Sequence, residues 1–234
     1  MIRERRLEPE LMDQPDLDRA LHRDALRGLR RINVLSRSAA IMWPEIAAAA
    51  RRVYPRPLRV LDLACGGGDN AIALATRARQ AGAAIEVHGC DISPLAVEVA
   101  RQRAEESGAK NVEFFLSNVL EDPLPRGYDV VSCSLFLHHL NESQAGRLLG
   151  EMADVATELV LINDLQRSWL GLGLAWIGCR LLTRSPVVHF DGPRSVAAAF
   201  ALSEIRSLAD RSGLDGATVN QHWPQRWLLV WRKH

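Results

Sequence analysis

The sequence has almost no net charge, few cysteines and no long apolar run, and each of these absences excludes a class of protein. Its 29 lysines and arginines face 28 acidic residues, so it lacks the field that attracts nucleic acid or an anionic membrane. The longest apolar run, residues 168–182, is shorter than the roughly 20 residues of a membrane-spanning helix. We therefore expect a small-molecule partner, with no nucleic acid and no membrane span.

The four cysteines are Cys65, Cys90, Cys133 and Cys179. They form no Cys-x-x-Cys pair and have no histidines at metal-ligand spacing, so we expect reduced core thiols and no metal. The N-terminal stretch is charged from its third residue and lacks the apolar segment of a signal peptide. These features predict a cytoplasmic protein.

The order of apolar patterns predicts an α/β fold. Residues 1–56 have helical spacing and are predicted to form an N-terminal helical cap, in which Ser36 or Ser38 begins a second helix. Strand-like and helix-like runs alternate through residues 57–234, which favours parallel strands with right-handed crossovers. The last two strand-like runs meet at Pro224 and indicate an antiparallel hairpin. We expect a Rossmann-like, mostly parallel sheet of seven strands.

An insertion is predicted after the fifth strand. Residues 165–193 contain an apolar helix, expected to act as a lid, and then a loop. A further helix is expected over residues 195–213, before the hairpin.

Glycines and an acid mark a candidate ligand site in residues 60–71, VLDLACGGGDNA, and beyond. Gly66 and Gly68 let the backbone turn tightly and approach a ligand, although such turns also end strands that bind nothing. Asp91, at the end of the second strand, is placed to accept the hydroxyls of a ribose, or else to cap the next helix, where Ser93 is better placed. The combination predicts an adenosine-containing cofactor.

Asp62 distinguishes two such cofactors. It lies within the first strand, where a carboxylate would repel the pyrophosphate of a dinucleotide but attract the ammonium and sulfonium groups of S-adenosylmethionine. The position therefore favours S-adenosylmethionine over NAD.

The motifs VLDLACGGGD, GCDISPLAVEVA and NVLEDPLPRGYDVVSCSLFLHHL resemble the successive motifs of class I S-adenosylmethionine-dependent methyltransferases. The resemblance covers about residues 58–164, includes the C-terminal hairpin by pattern only, and is greatest to small-molecule enzymes of quinone biosynthesis and natural-product pathways. It implies S-adenosylmethionine as cofactor and S-adenosylhomocysteine as product.

The resemblance also implies the cofactor-binding residues. It assigns the backbone of Ala64, Gly66 and Gly68 to the methionine part, Asp62 to the amino group, Asp91 to the ribose, Ile92 to the adenine face, Asn118 and Val119 to the adenine edge, and Ser134 to the same site. The family more often has Asp at position 118. The carbonyl of an amide can still accept a hydrogen bond from the adenine amino group.

Methyl transfer to a hydroxyl calls for a base near the methyl group. His138 and His139 follow the fourth strand at the binding edge and are candidates, although one of them can simply pack under the cofactor. His189 and Asp191 form a His-x-Asp pair in the expected loop, where an extended chain would put both on one side and let Asp191 orient His189. Alternatively, Asp191 caps a turn.

Two further residues are candidates for binding the acceptor. Asp164 follows the fifth strand and either contacts the acceptor or caps the next helix. Trp169 lies seven residues before Trp176 on that helix, so both share a face that forms either an apolar wall over the site or part of the core.

The sequence thus predicts O-methylation of a small aromatic or polyketide-like molecule. Carbon methylation of a quinone or polyketide ring would use the same pocket. Alternatives from other classes are an NAD-dependent oxidoreductase, which Asp62 argues against, and a non-catalytic S-adenosylmethionine-binding regulator. The apolar surface of the expected lid favours a homodimer.

Overall fold

A computed structural model describes residues 2, 4–14 and 16–233. Its centre is a seven-stranded sheet in the order β3-β2-β1-β4-β5-β7-β6. The strands are β1 (Leu58–Leu63), β2 (Ile85–Asp91), β3 (Val112–Leu116), β4 (Tyr128–Ser134), β5 (Ala156–Leu165), β6 (Thr218–His222) and β7 (Arg226–Arg232). β1 to β5 pair in parallel, whereas β7 runs antiparallel to β5 and β6. The predicted sheet and hairpin are confirmed.

Helices cover both faces of this sheet. They are α1 (Arg19–Ser36), α2 (Ser38–Val53), α3 (Asp69–Gln80), α4 (Pro94–Ser107), α5 (Glu142–Val155), α6 (Trp169–Leu182), α7 (Pro186–Ala198) and α8 (Leu202–Arg211). Apolar side chains of α2, α3 and α4 pack on one face, and those of α5 and α8 pack on the other. β1 and β4 are buried on both sides, which explains their nearly continuous apolar sequences.

The N-terminal helices differ from the prediction at their junction. The Asp18 carboxylate accepts the amides of Ala20 and Leu21 and so begins α1. Arg37, in the left-handed region with φ 57°, separates α1 from α2, and α2 has no side-chain cap. Neither Ser36 nor Ser38 caps α2, because both hydroxyls accept hydrogen bonds from Arg226 instead.

The segment after β5 is more helical than predicted. The expected loop around His189 is part of α7, which packs against α6 and α1. The helix expected over residues 195–213 is broken between α7 and α8, where Ala199 is extended. The break turns Phe200 into the core, where its side chain is buried. Burial of that ring accounts for the interruption of a continuous helical pattern.

The structure shows the lengths of the apolar helices and the positions of the four cysteines. Among the described residues, no helix is both long enough and apolar enough to cross a membrane. The four cysteines are unpaired; Cys90, Cys133 and Cys179 are buried and Cys65 is partly buried. Burial raises the pKa of each thiol, so all four stay protonated at neutral pH.

Candidate functional site

A cavity of about 1270 Å³ opens at the carboxyl ends of β1, β2 and β4. The strand order reverses between β1 and β4, and such a switch point is where open α/β sheets bind ligands. The cavity then continues beneath α1, α6 and α7. We call the part at the strand ends the cofactor half and the part beneath these helices the acceptor half.

The glycine turn at the end of β1 forms the floor of the cofactor half. Ala64, Gly66 and Gly68 all have positive φ, of 50°, 54° and 75°. A Cβ atom on Gly66 would meet nothing within 4 Å, whereas one on Gly68 would lie 2.7 Å from Phe114 and 2.9 Å from Ala100. Gly66 therefore leaves space towards the cavity, and Gly68 lets α3 approach the neighbouring strand and helix.

Asp91 is tied to this turn. One carboxylate oxygen accepts the Gly66 amide at 2.7 Å, and the other accepts the Ser93 amide at 2.9 Å. Burial raises the pKa of Asp91, and these two hydrogen bonds oppose that shift. The hydroxyl of Ser93, and not Asp91, caps α4. Each Asp91 oxygen keeps a second lone pair for a ligand hydroxyl.

Asp62 lies deeper in the cofactor half and is 1% exposed. Its Oδ1 atom accepts a hydrogen bond of 2.9 Å from the Ser132 hydroxyl, and the amide nitrogen of Asn70 lies 3.4 Å from Oδ2. Burial raises the pKa of Asp62 to about 6, although both partners favour the charged form. A buried carboxylate on a cavity wall is stabilised by a cationic ligand group.

The remaining predicted cofactor residues also line the cavity: Ile92, Asn118, Val119 and Ser134. Ile92 is 63% exposed, so an apolar side chain stands at the cavity mouth where a flat ring can cover it. The side-chain carbonyl of Asn118 accepts a hydrogen bond from the Leu120 backbone amide. The Asp122 carboxylate accepts one from the Asn118 backbone amide. The structure thus brings together every residue predicted for the cofactor, although Gly68 acts through packing behind the turn.

His138 and His139 stand between the two halves. The Nδ1 atom of His138 lies 2.7 Å from Asp164, which also accepts the His138 amide. The Nδ1 atom of His139 lies 2.8 Å from Asp13. Burial alone would lower the pKa of His139, but Asp13 and Glu10 raise it to about 9. With this pKa, the His139 imidazole is positively charged at neutral pH.

Three predicted positions on the acceptor side need correction. Asp164 is 1% exposed and neither reaches the cavity nor caps α6; it binds His138, and Ser168 caps α6. Trp169 and Trp176 are 65% and 54% exposed, because the cavity is lined by the opposite, smaller side chains of α6. The expected apolar wall of tryptophans is therefore absent from this cavity.

The predicted His189–Asp191 pair is also incorrect in geometry. Because the segment is a helix, residues two apart point in different directions. The Nε2 atom of His189 lies 2.8 Å from the Thr183 carbonyl oxygen, and His189 does not line the cavity. Asp191 does line it and accepts the amides of Leu11 and Met12. Asp191 therefore anchors the N-terminal segment.

Sequence reasoning missed the contributions of Glu10, Asp13 and Arg226. Glu10 and Asp13 belong to a charged N-terminal stretch that looks like ordinary surface sequence. Glu10 is nevertheless 8% exposed, and its carboxylate lies 3.8 Å from Nε2 of His138 and 3.9 Å from Nε2 of His139. Arg226 is buried at the start of β7 and lines the cavity, bonded to Ser36, Ser38 and Asn163. Burial lowers its pKa to about 10. No local motif marks any of the three.

The comparisons with known proteins agree with this geometry. Residues 60–158 match a family profile described as "Methyltransferase domain". Below, these residues are called the methyltransferase domain. The predicted resemblance to class I small-molecule methyltransferases is confirmed.

Two curated relatives match part of the chain. The demethylmenaquinone methyltransferase of Deinococcus radiodurans is 38% identical over 50% of this chain and 47% of its own. The ubiquinone biosynthesis O-methyltransferase of Leptothrix cholodnii is 36% identical over 36% of this chain and 34% of its own. The chain thus spans about half or less of the length of these relatives.

Solved structures match more of the chain at lower identity. The S-adenosylmethionine-dependent methyltransferase SibL has a TM-score of 0.67 at 22% identity, covering 95% of this chain and 60% of its own. The O-methyltransferase NcsB1 of neocarzinostatin biosynthesis has a TM-score of 0.65 at 18% identity, covering 92% and 58%. These similarities extend the shared fold to the helices outside the methyltransferase domain.

Proposed function

We propose that this chain is an S-adenosylmethionine-dependent methyltransferase that methylates a hydroxyl of a small aromatic or polyketide-like molecule. The observation that carries the proposal is the continuity of the cavity. A cofactor-type site at the strand ends opens directly into a space beneath α1, α6 and α7. The methyltransferase domain supplies the first half, and helices outside it supply most of the second.

In this proposal the cofactor half binds S-adenosylmethionine. Asp62 pairs with the ammonium group, because a buried carboxylate on the wall gains most from a cation. Asp91 accepts the ribose hydroxyls with its free lone pairs while its other lone pairs hold the glycine turn. Ile92 covers one face of the adenine, and Asn118 and Val119 meet its edge.

The reaction is an in-line displacement. A lone pair of the acceptor oxygen forms the new bond to the methyl carbon, the carbon–sulfur bond breaks, and its electron pair goes to sulfur. The hydroxyl proton passes from the acceptor to a base, for which His138 is proposed below. Because the cofactor supplies a good leaving group, the protein's main task is to hold oxygen, carbon and sulfur in line.

The histidine pair is proposed to lie beside the acceptor hydroxyl. Asp164 accepts from Nδ1 of His138 and so leaves its Nε2 atom towards the cavity with a lone pair. This is the usual arrangement of a histidine that takes a proton. His139, held by Asp13 and charged at neutral pH, stabilises negative charge on the acceptor oxygen instead. The predicted base role thus falls more naturally to His138.

The similar proteins support the proposed substrate class. The Leptothrix cholodnii relative is named an O-methyltransferase of ubiquinone biosynthesis. The NcsB1 structure holds S-adenosylhomocysteine and 1,4-dihydroxy-2-naphthoic acid. A hydroxylated aromatic acceptor is consistent with both.

The test is acceptor-dependent release of S-adenosylhomocysteine from S-adenosylmethionine across a panel of phenols, naphthols and quinols. We expect release with at least one acceptor, and a product heavier by one methyl group. Nuclear magnetic resonance of the product then shows whether oxygen or ring carbon carries the methyl group. Methylation at carbon would contradict the proposed O-methylation and support the alternative, carbon methylation of a ring.

A pair of variants on β2 controls this test. Asp91→Ala should weaken S-adenosylhomocysteine binding by about 100-fold, since hydrogen bonds to charged groups contribute about 1.5–3 kcal/mol each. Glu86→Ala, an exposed acid of the same strand, should leave binding unchanged. Unchanged affinity in Asp91→Ala would refute the ribose assignment. Tight cofactor binding with no turnover on any acceptor would favour a regulatory binding protein.

The expected cytoplasmic location and homodimer also remain proposals. α6 exposes apolar side chains at which a second copy would pack: Trp169, Leu170, Trp176, Ile177 and Leu181. Sedimentation velocity over a range of protein concentrations tests the homodimer, and a single monomeric species throughout would exclude it.

A further inference from the structure

Three side chains of metal-binding type meet at the wall between the two cavity halves. Glu10 comes from the N-terminal segment, and His138 and His139 come from the turn after β4. One ligand atom from each lies within 4.8 Å of the others. We propose that Glu10, His138 and His139 bind a divalent transition-metal ion such as Zn²⁺.

The distances suit an ion and not direct hydrogen bonds. His138 Nε2 lies 3.8 Å from Glu10 Oε1, and His139 Nε2 lies 3.9 Å from Glu10 Oε2. Among the described residues, neither Nε2 atom makes a hydrogen bond. Zinc bonds of about 2.1 Å at tetrahedral angles place two ligand atoms about 3.4 Å apart. The ligand atoms of the group are at most 4.8 Å apart, so closure by no more than about 1.4 Å between any two of them completes the site.

All three side chains are already held in a metal-binding orientation. Asp164 binds Nδ1 of His138, and Asp13 binds Nδ1 of His139. Carboxylates in this position hold the Nδ1 proton, orient each ring so that Nε2 faces the ion, and make the imidazole a stronger ligand. Metal binding would displace the Nε2 proton that His139 otherwise carries at neutral pH. The Ser195 hydroxyl donates to Glu10 at 2.6 Å and fixes its carboxylate.

The charge around the cluster also favours a cation. Glu10 and Asp164 are buried, and Asp13 and Asp191 lie close enough to act on the same groups. Two arginines face these groups: Arg5 donates to the carbonyl oxygens of His138 and Leu140, and Arg226 interacts electrostatically with Asp164. The described surroundings thus hold more carboxylates than guanidinium groups, and a divalent ion would balance them.

The cluster also leaves room for a further ligand. The three residues line the large cavity and a second pocket of about 270 Å³ on the other side. Two histidines and one carboxylate with an open position are the ligand set of catalytic zinc and of several iron sites. A catalytic role for the ion rests on the proposed function: an ion held by these residues would replace the base role assigned above to His138, because it would lower the pKa of an acceptor hydroxyl, whose proton would pass to solvent water.

Stoichiometric metal binding tests the proposal. The chelator-treated protein is titrated with Zn²⁺ by calorimetry, and bound zinc is counted by elemental analysis. We expect one ion per chain, bound at least about 100-fold more weakly in Glu10→Gln and His139→Gln, and 10- to 100-fold more weakly in Asp13→Asn. Co²⁺ in the same site should give visible absorption bands that these variants lose.

Matched controls separate the site from general effects. Glu8→Gln and His222→Gln change the same residue types outside the cluster and should bind Zn²⁺ like the unchanged chain. Circular dichroism and S-adenosylhomocysteine affinity, measured on every variant, show that the fold and the cofactor half are intact. No stoichiometric binding, or binding that Glu10→Gln and His139→Gln leave unchanged, overturns the proposal. Metal binding is measured without turnover, so its failure overturns only the metal site. Failure of the proposed function is detected separately, by the panel of acceptors.

Discussion

The two halves of the cavity are constructed in different ways. The cofactor half comes from short, contiguous segments at the ends of β1, β2 and β4, where local backbone geometry places each side chain. The acceptor half combines the N-terminal segment with α1, α6 and α7, which meet only through tertiary packing. The comparison teaches that one chain can hold a site specified by local sequence beside one specified by the whole fold.

Substitution at Gly68 tests how closely fold and cofactor half are linked. Gly68→Ala places a Cβ atom against Phe114 and Ala100 at a φ of 75°. Left-handed strain and overpacking together should lower the free energy of unfolding by about 2–5 kcal/mol, measured by urea denaturation. Gly82→Ala, also at positive φ but with open space, should cost only about 1–2 kcal/mol. Equal losses would show that packing at Gly68 is unimportant.

The buried carboxyl group of Asp62 should make the affinity of the cofactor half for its ligand depend on pH. The pKa of Asp62 is raised to about 6, so below that pH the free protein holds a proton that binding of the ammonium group must displace. As far as Asp62 is concerned, the affinity for S-adenosylhomocysteine should be constant above about pH 6. Below that pH it should fall about tenfold per pH unit.

Asp62→Asn provides the control for this pH dependence. The amide cannot ionise, so affinity should be lower at neutral pH and the step near pH 6 should disappear from calorimetric titrations. A step that persists unchanged in Asp62→Asn would assign it to another group.

The smallest expected effect lies on the outer surface of the acceptor half. Trp169 is 65% exposed, so Trp169→Ala should change the free energy of unfolding by no more than about 0.5 kcal/mol and leave turnover unaltered. Trp227→Ala, at a fully buried tryptophan of β7, should cost about 3–5 kcal/mol. A marked loss of turnover in Trp169→Ala would instead support the predicted contact between Trp169 and the acceptor.

The same difference explains how far the sequence predicted the molecule. Asp62, Gly66 and Asp91 could be placed because strand ends and glycine turns have local signatures. The Asp13–His139 and Asp164–His138 pairs could not, because each joins residues that periodicity and motif spacing do not relate. His189 and Asp191 were misplaced because a helical segment containing Gly192 and Pro193 has the composition of a loop.

The hydrogen bond between Asp91 and Gly66 has a thermodynamic consequence. Both of its partners belong to the protein, so the chain's own hydrogen bond, and no contact with a ligand, sets the shape of the glycine turn. Binding then loses little conformational entropy in ordering this turn, and more of the gross contact energy is retained as affinity. The cofactor half is in this sense a preorganised receptor, whose rigidity was acquired during folding.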